Sequence, residues 1–160
     1  MADLNASNSV IKAAASGASV EEVLGFVELE NSKKRLFQVF GYDSVMGEAH
    51  LKAAYVNTLL AFDDKSNIAK ERHIEMLLFA AMTRQIGDAI RVCGIKSTRG
   101  FVAFSDNAES MRRFGKIAKL ARFAGTREHA MEAARRLGFR GRIPDEHEIL
   151  ARMAQSRLDL

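Results

Sequence analysis

The sequence contains a single cysteine, Cys93, and no apolar run long enough to cross a bilayer. One cysteine excludes an intramolecular disulfide and fits a reducing cytoplasm. Because Cys93 lies on the apolar stripe of a predicted helix, a buried core residue is favoured over a nucleophile. No stretch approaches about 18 uninterrupted apolar residues. The opening MADLNASNSV has neither a basic region nor an apolar segment, so we expect no secretory signal and a cytoplasmic location.

Motifs for common catalytic chemistry are also scarce. Gly115-Lys116 lacks the glycine spacing and the following hydroxyl of a phosphate-binding loop. His147-Glu148 starts like a zinc-protease helix, but Ala151 stands where the second histidine is needed. The histidines show no ligand spacing, and each is expected on a helix surface: His50, His73, His129 and His147. The sequence therefore predicts no metal site and favours a binding protein over an enzyme.

Length and composition predict one folded domain. A chain of 160 residues with 48% apolar and 28% charged residues has enough apolar surface for a core. The net charge is +4, but residues 111–142 hold ten Lys or Arg against two Glu, which gives +8 there and −4 elsewhere. This asymmetry suggests one side that faces a polyanion. The alternative is a set of solvated helix faces.

The periodicity of apolar residues divides the chain into strands and helices. Short β-branched or aromatic runs predict strands, and apolar residues three and four positions apart predict helices. Residues 117–123 fit either a continued helix or a half-exposed strand. In chain order we predict a strand at 10–15, a helix at 19–32, a strand at 36–40, helices at 44–62, 69–82 and 86–93, a strand at 100–104, a helix near 106, and helices at 126–137 and from 144 onward.

Residue types at the helix ends support these boundaries. Ser19 and Glu22 form a capping box. Gly94 is predicted to end its helix in a left-handed conformation, and Pro144 to occupy the first turn of the last helix. The helix at 69–82 is apolar on most sides, so it should lie at the centre of the domain.

A polar corner, Thr83-Arg84-Gln85, separates two apolar helices. A guanidinium and an amide at a helix N-terminus, beside free backbone donors, can seat a phosphate or a nucleotide. The alternative is a solvent-exposed turn in which Thr83 caps the second helix. The corner is therefore a candidate binding site.

The last helix carries an apolar stripe that includes Ile149, Leu150, Met153 and Leu158. Such a stripe usually docks on its own domain. With methionine as an adaptable contact, it could instead fill a groove on a partner protein.

Short segments follow one another in a characteristic order between residues 66 and 104. They are Glu75-Met76-Leu77, Gln85-Ile86, Ala89-Ile90 and Gly94-Ile95, the last pair before an apolar strand. Upstream lies Leu36-Phe-Gln-Val, and downstream lies Ile149-Leu-Ala-Arg-Met. In order and spacing these segments resemble the archaeal type of the kinase-binding subunit of the KEOPS complex. That complex installs threonylcarbamoyl on the adenosine beside the anticodon of many transfer RNAs.

The resemblance implies a compact α/β domain with a small mixed β-sheet and helices packed on it. It implies no catalytic activity, no cofactor and two partners. These are the small KEOPS kinase subunit and tRNA, whose 3′ CCA end the archaeal members help to hold. It also favours the strand interpretation of residues 117–123. We expect a monomer within a hetero-complex, with residues 10–160 as one domain and residues 1–9 as a disordered tail.

These expectations assign candidate contact residues to each partner. The kinase is expected on the terminal helix, at Ile149, Leu150, Met153 and Ala154. Transfer RNA is expected at the corner, together with cations of neighbouring segments: Arg84, Gln85, Lys70, Arg72, Arg112 and Arg113.

Two other functions stay open at this point. One is a small α/β transferase whose phosphate-bearing substrate sits at the same corner. The other is a free-standing RNA-binding module that uses the basic window 111–142. Turnover by the isolated chain would indicate the first, and tight RNA binding without a kinase partner would indicate the second.

Overall fold

The computed structural model of the protein describes residues 8–158, so most of the predicted tail lies outside the described residues. Within this range the fold is α+β, as predicted, and no helix of it is long and apolar enough to cross a membrane. The strands are β1 (Val10–Ala15), β2 (Phe37–Gly41), β3 (Phe101–Ser105) and β4 (Lys119–Arg122). The helices are α1 (Val20–Ser32), α2 (Glu48–Asp63), α3 (Arg72–Ala81), α4 (Ile86–Cys93), α5 (Ala108–Phe114), α6 (Arg127–Arg136) and α7 (Glu146–Leu158).

The four strands form one sheet in the order β2-β3-β1-β4, and every neighbouring pair is antiparallel. The sheet is thus antiparallel, not mixed as predicted. β1 and β2 do run parallel, because α1 returns the chain to the same end of the sheet, but β3 lies between them. The strand interpretation of residues 117–123 is confirmed by β4, which pairs with β1 at the sheet edge.

Helices cover both faces of the sheet. Alternate residues of a strand point to opposite faces. Phe37 and Phe101 therefore pack with α1 and α5 on one face. Phe40 and Phe104 belong to the larger core on the other face, with α2, α3, α4, α6 and α7. Because β3 is buried on both sides, its sequence reads as a continuous apolar run.

The centre of the larger core is α3, as predicted. Met76 and Leu78 on this helix are completely buried. The neighbouring α4 contributes Cys93, which is also buried, so the prediction of a core cysteine is confirmed. Burial raises the pKa of the Cys93 thiol to about 12. The thiolate required of a nucleophile is therefore disfavoured.

The glycine after α4 plays a different role from the predicted one. Gly94 has a φ of −67°, outside the left-handed region. It is required for space, because a Cβ at this position would lie 2.5 Å from the carbonyl oxygen of Ile90. The left-handed cap occurs instead at Met82, which ends α3 with a φ of 56°.

The last helix begins later than predicted. The side chain of Asp145 accepts a hydrogen bond of 2.9 Å from the backbone N–H of Glu148, which makes Asp145 the capping residue. Pro144 therefore precedes the cap and does not occupy the first turn of α7.

Candidate nucleic-acid binding site

The cations predicted to contact RNA do not share one surface. Lys70 and Arg72 lie at the start of α3, whereas Arg84 and Gln85 follow its end. Ten residues separate the two ends of this helix. At about 1.5 Å per residue, the two groups are roughly 15 Å apart along the helix axis. The structure therefore divides the predicted site into a cleft and a corner.

The corner is connected to the far end of the chain. The Arg84 guanidinium donates a hydrogen bond of 3.3 Å to the backbone carbonyl oxygen of Arg157 in α7. The backbone N–H of Gln85 donates to the hydroxyl of Thr83 at 3.2 Å, which stabilises the turn. Gln85 itself is exposed. The corner thus contributes to the packing of α7. This role favours the interpretation of the corner as a turn over its interpretation as a phosphate-binding site.

The two arginines of α5 are engaged by glutamates. Arg112 forms hydrogen bonds with Glu109 on the surface. Arg113 donates to the buried carboxylate of Glu30. Burial alone would raise the pKa of Glu30, but hydrogen bonds from Arg113 and Ser110 outweigh burial and hold the pKa below its usual value. Arg113 therefore compensates an internal charge, and this role restricts its use for RNA.

Cationic side chains do converge at the start of α3. Lys70 and Arg72 line a cleft with Lys34 and Arg35 from the α1–β2 connection and with Phe62 from the end of α2. The cleft has a volume of about 610 Å³. The guanidinium of Arg72 lies 5.5 Å from the ring centroid of Phe62. We call this hollow the basic cleft.

Asp106 forms part of the wall of the basic cleft, and hydrogen bonds fix the position of its carboxylate. Asp106 accepts hydrogen bonds from the backbone N–H of Leu36 at 3.1 Å and from the hydroxyl of Tyr55 at 3.4 Å. Burial raises the pKa of this carboxyl above its usual value. These bonds hold Asp106 in place.

Two of the four histidines are buried, contrary to the prediction. His50 is completely enclosed and His73 is 2% exposed. His73 lies in the basic cleft, where its Nε2 faces the carboxylates of Glu28 and Glu71. Among the described residues these three form the one group that could hold a metal ion. Sequence spacing could not reveal this group, because Glu28 and His73 are 45 residues apart.

A second hollow of about 660 Å³ lies between residues 138–142 and α7. Two of its three arginines, Arg142 and Arg152 but not Arg140, have partners within the part of the fold that the structure describes. Arg142 forms a hydrogen bond with Glu148, and the guanidinium of Arg152 lies 4.7 Å from the ring centroid of Phe139. The basic cleft is therefore the stronger candidate for an anionic ligand.

The apolar stripe of α7 is divided between the core and the surface. Ile149 and Met153 are buried in the larger core. This burial agrees with the alternative in which the stripe packs on its own domain. These two side chains offer a partner no surface in this structure. Leu150 is half-buried, whereas Ala154 and Leu158 are exposed. We call these last three residues, each four positions from the next, the outer stripe.

Arg157 connects the end of α7 to the core through an ion pair. Arg157 donates a hydrogen bond of 2.8 Å to the completely buried carboxylate of Glu75 on α3. Its guanidinium also lies 3.9 Å from the ring centroid of Phe79. The second oxygen of Glu75 accepts a hydrogen bond of 2.7 Å from the backbone N–H of Ile68. This arrangement explains why α7 packs on its own domain.

Comparisons with known proteins do not assign the chain to a family. No protein-family model matches it, and no curated protein matches it. The resemblance of the sequence to the KEOPS subunit therefore stays a hypothesis.

Proposed function

We propose that the protein is a non-catalytic accessory subunit of the KEOPS type. It holds the 3′ CCA end of tRNA in the basic cleft and binds a small kinase subunit through α7. The observation that carries the proposal is the basic cleft, where four cationic side chains and an aromatic ring line one hollow beside the carboxylates of Glu28, Glu71 and Asp106. The proposal places the protein in the cytoplasm, together with its RNA.

The composition of the basic cleft suits single-stranded RNA. Proteins hold such strands with cations that contact phosphates and with aromatic rings on which bases stack. Lys34, Lys70 and Arg72 supply the cations, while Arg35 beside them forms an ion pair of 3.5 Å with Glu30. Phe62 supplies a ring that already accepts a guanidinium. The volume of about 610 Å³ lies within the range of small-ligand sites, roughly 300–1,000 Å³. A chain end fits such a hollow better than a duplex does.

Replacing Lys34 and Lys70 together by alanine is expected to weaken tRNA binding at least about tenfold. Both side chains are exposed, so their removal should leave the fold intact. The slope of log affinity against log salt concentration should become less steep by about 0.7 for each phosphate that the variant no longer neutralises. Fluorescence anisotropy with labelled tRNA at several salt concentrations measures both quantities.

A matched control removes the same charge from the basic window. Lys116→Ala with Lys119→Ala also deletes two exposed lysines, and we expect it to change the affinity by less than about twofold. If this pair weakens binding more than the cleft pair does, the free-standing module is favoured. Equal affinity for intact tRNA and for tRNA without its CCA end contradicts the proposed recognition. Turnover of a substrate by the isolated chain contradicts the non-catalytic role.

The outer stripe is the part of α7 that can meet a partner. An apolar helix face with contacts four residues apart is the pattern by which helices fill hydrophobic grooves. Leu158 is 71% exposed, so most of its side chain is accessible to a partner. Its burial would contribute about 25 cal/mol per Å² of apolar area, before the ordering costs of association. The kinase contact is thus proposed at Leu150, Ala154 and Leu158, with Ile149 and Met153 behind them.

Replacing Ala154 and Leu158 by glutamate is expected to abolish co-purification with the kinase subunit. Charge on both residues prevents their burial in an apolar groove, while the domain should stay folded because both are exposed. Gln155→Glu places one charge on another side of α7 and should leave the interaction intact. Co-expression with affinity capture of the kinase measures the effect. Undiminished capture of the kinase by the double variant contradicts this contact.

A further inference from the structure

Three potential metal ligands from two separate segments meet in the basic cleft. Glu28 comes from α1, Glu71 is the residue before α3, and His73 lies in the first turn of α3. The Nε2 atom of His73 lies 3.4 Å from a carboxylate oxygen of Glu28 and 3.3 Å from one of Glu71. All three donor atoms lie within 4.8 Å of one another.

Hydrogen bonding alone does not explain why two carboxylates converge on one nitrogen. A ring nitrogen carries at most one hydrogen, so one Nε2–H cannot fully satisfy two acceptors. Charge-assisted N–H···O bonds are also shorter, at about 2.7–2.9 Å. The contact with Glu28 is a long hydrogen bond of 3.4 Å, and the distances of 3.3 and 3.4 Å are both greater than those of charge-assisted bonds.

The same distances fit the ligands of one tetrahedral ion. Zinc binds histidine nitrogen at about 2.0–2.1 Å and carboxylate oxygen at about 2.0–2.2 Å. Two ligands of a tetrahedral site with these bond lengths are roughly 3.3–3.5 Å apart, which matches both contacts of His73. The spacing therefore suits two donors on a common metal.

The histidine is held in place, whereas the carboxylates can adjust. His73 is 2% exposed, and its backbone carbonyl oxygen accepts a hydrogen bond of 2.8 Å from Gln38. The side chains of Glu28 and Glu71 are 67% and 59% exposed, so either can rotate to complete the geometry. Three protein ligands leave a coordination position open toward the basic cleft.

We propose that Glu28, Glu71 and His73 form a binding site for one divalent first-row transition metal ion, with Zn²⁺ as the preferred species. Imidazole and carboxylate together suit zinc and related metals. The chain offers no competing thiol in the described part, because Cys93 is buried. This inference concerns the metal alone and does not depend on the proposed function.

Isothermal titration calorimetry of ZnCl₂ into tag-free, EDTA-treated full-length protein tests the site. We expect saturable binding of one equivalent that weakens as the pH falls, since protons compete for the ligands. Titration with Co²⁺ is expected to give visible absorption of a nitrogen- and oxygen-bound ion without a thiolate charge-transfer band. Absence of saturable binding with either metal overturns the proposal.

Substitutions of the exposed ligands keep the test independent of folding. Glu28→Gln and Glu71→Gln preserve size and remove charge, and each is expected to weaken Zn²⁺ binding at least about tenfold. His73→Ala is expected to abolish it, with the folded state checked by circular dichroism. His147→Ala removes an exposed histidine outside the cleft and should change nothing. Unchanged affinity in both glutamine variants overturns the proposal, as does loss of binding in the His147 variant. RNA binding measured in EDTA reports on the proposed function separately.

Discussion

Replacing Arg157 by alanine is expected to lower the free energy of unfolding by about 3–5 kcal/mol. The substitution removes the cationic partner of Glu75, whose carboxylate is completely buried. An uncompensated charge in a protein interior is strongly unfavourable, because the surroundings cannot replace the hydration that the charge has in water. Among the described residues, the backbone N–H of Ile68 would remain as a hydrogen-bond donor to Glu75. Urea denaturation followed by circular dichroism measures the loss of stability.

An exposed pair of the same length serves as the matched control. Arg135 and Glu132 on α6 are also 2.8 Å apart, but both side chains are largely exposed. Arg135→Ala is expected to change the free energy of unfolding by less than about 1 kcal/mol, because exposed ion pairs contribute little. Because both ion pairs have the same length, a difference between the two substitutions reports the effect of burial on the contribution of an ion pair. If the two substitutions have similar effects, the buried pair does not stabilise α7 as described.

A double substitution tests whether the unpaired charge causes the loss. Glu75→Gln with Arg157→Met removes both charges, and the glutamine oxygen can still accept the Ile68 N–H. Exchanging a buried ion pair for uncharged residues of similar size is often close to neutral. In the native pair Nε and Nη1 of Arg157 are buried without a hydrogen-bond partner within the described residues, which lowers its net contribution. The double variant is therefore expected to be more stable than Arg157→Ala alone.

Local sequence signals predicted most elements of the fold. The cap predicted at Ser19 is present, since its hydroxyl accepts a hydrogen bond from the backbone N–H of Glu22. The burial of α3 followed from apolar residues on most of its sides, and the burial of Cys93 from its place on the apolar stripe of α4. These features depend on neighbours a few positions apart, which a sequence displays directly. The order and direction of the strands depend on distant pairings, so the insertion of β3 between β1 and β2 was not predicted.

The candidate site was predicted only in part, for the same physical reason. Lys70 and Arg72 do line the basic cleft, but Lys34 and Phe62 come from other segments and were missed. The basic run at residues 33–35, directly before β2, was the available signal for the missing cations. Arg84 was assigned to RNA because a guanidinium at a helix N-terminus can bind phosphate. Its hydrogen-bond partner in α7 is 73 residues away, so local sequence patterns could not reveal it.

The terminal helix shows the same limit. Its stripe predicted an apolar face correctly, yet periodicity does not state which surface that face meets. The ion pair of Arg157 with Glu75 joins residues 82 positions apart, and it lies at the end of the helix whose Ile149 and Met153 are buried. The predicted docking face is therefore divided: Ile149 and Met153 contact the core, and the outer stripe remains at the surface.

Lowering the pH from 7 to 4 is expected to remove about 3 kcal/mol of stability through His50 alone. Burial lowers the pKa of this ring from 6.5 to about 4, although a hydrogen bond to Ala80 opposes the shift. The folded state therefore binds the proton more weakly than the unfolded chain does. The contribution is fully present above pH 6.5 and is lost as the pH falls from there toward 4.

The hydrogen bonds of His50 require a neutral ring. The backbone N–H of Met46 donates to Nδ1 at 3.1 Å, so this nitrogen must carry a lone pair. Nε2 lies 2.9 Å from the carbonyl oxygen of Ala80 and must carry the hydrogen. Protonation would place a second hydrogen on Nδ1, directly against the Met46 donor. Acid therefore breaks a buried hydrogen bond and creates a buried charge at the same point.

The difference between wild type and His50→Gln isolates this effect from the carboxylates that also titrate in acid. The free energy of unfolding of each protein is measured by urea denaturation between pH 4 and pH 7. As the pH falls from 7 to 4, the wild type is expected to lose about 3 kcal/mol more free energy of unfolding than His50→Gln does. This expectation holds for any difference in stability between the two proteins at pH 7. His147→Gln, which alters an exposed ring, should follow the wild-type curve. Parallel curves for wild type and His50→Gln, or an NMR titration in which the folded ring gains its proton near pH 6.5, would show that His50 is not held neutral.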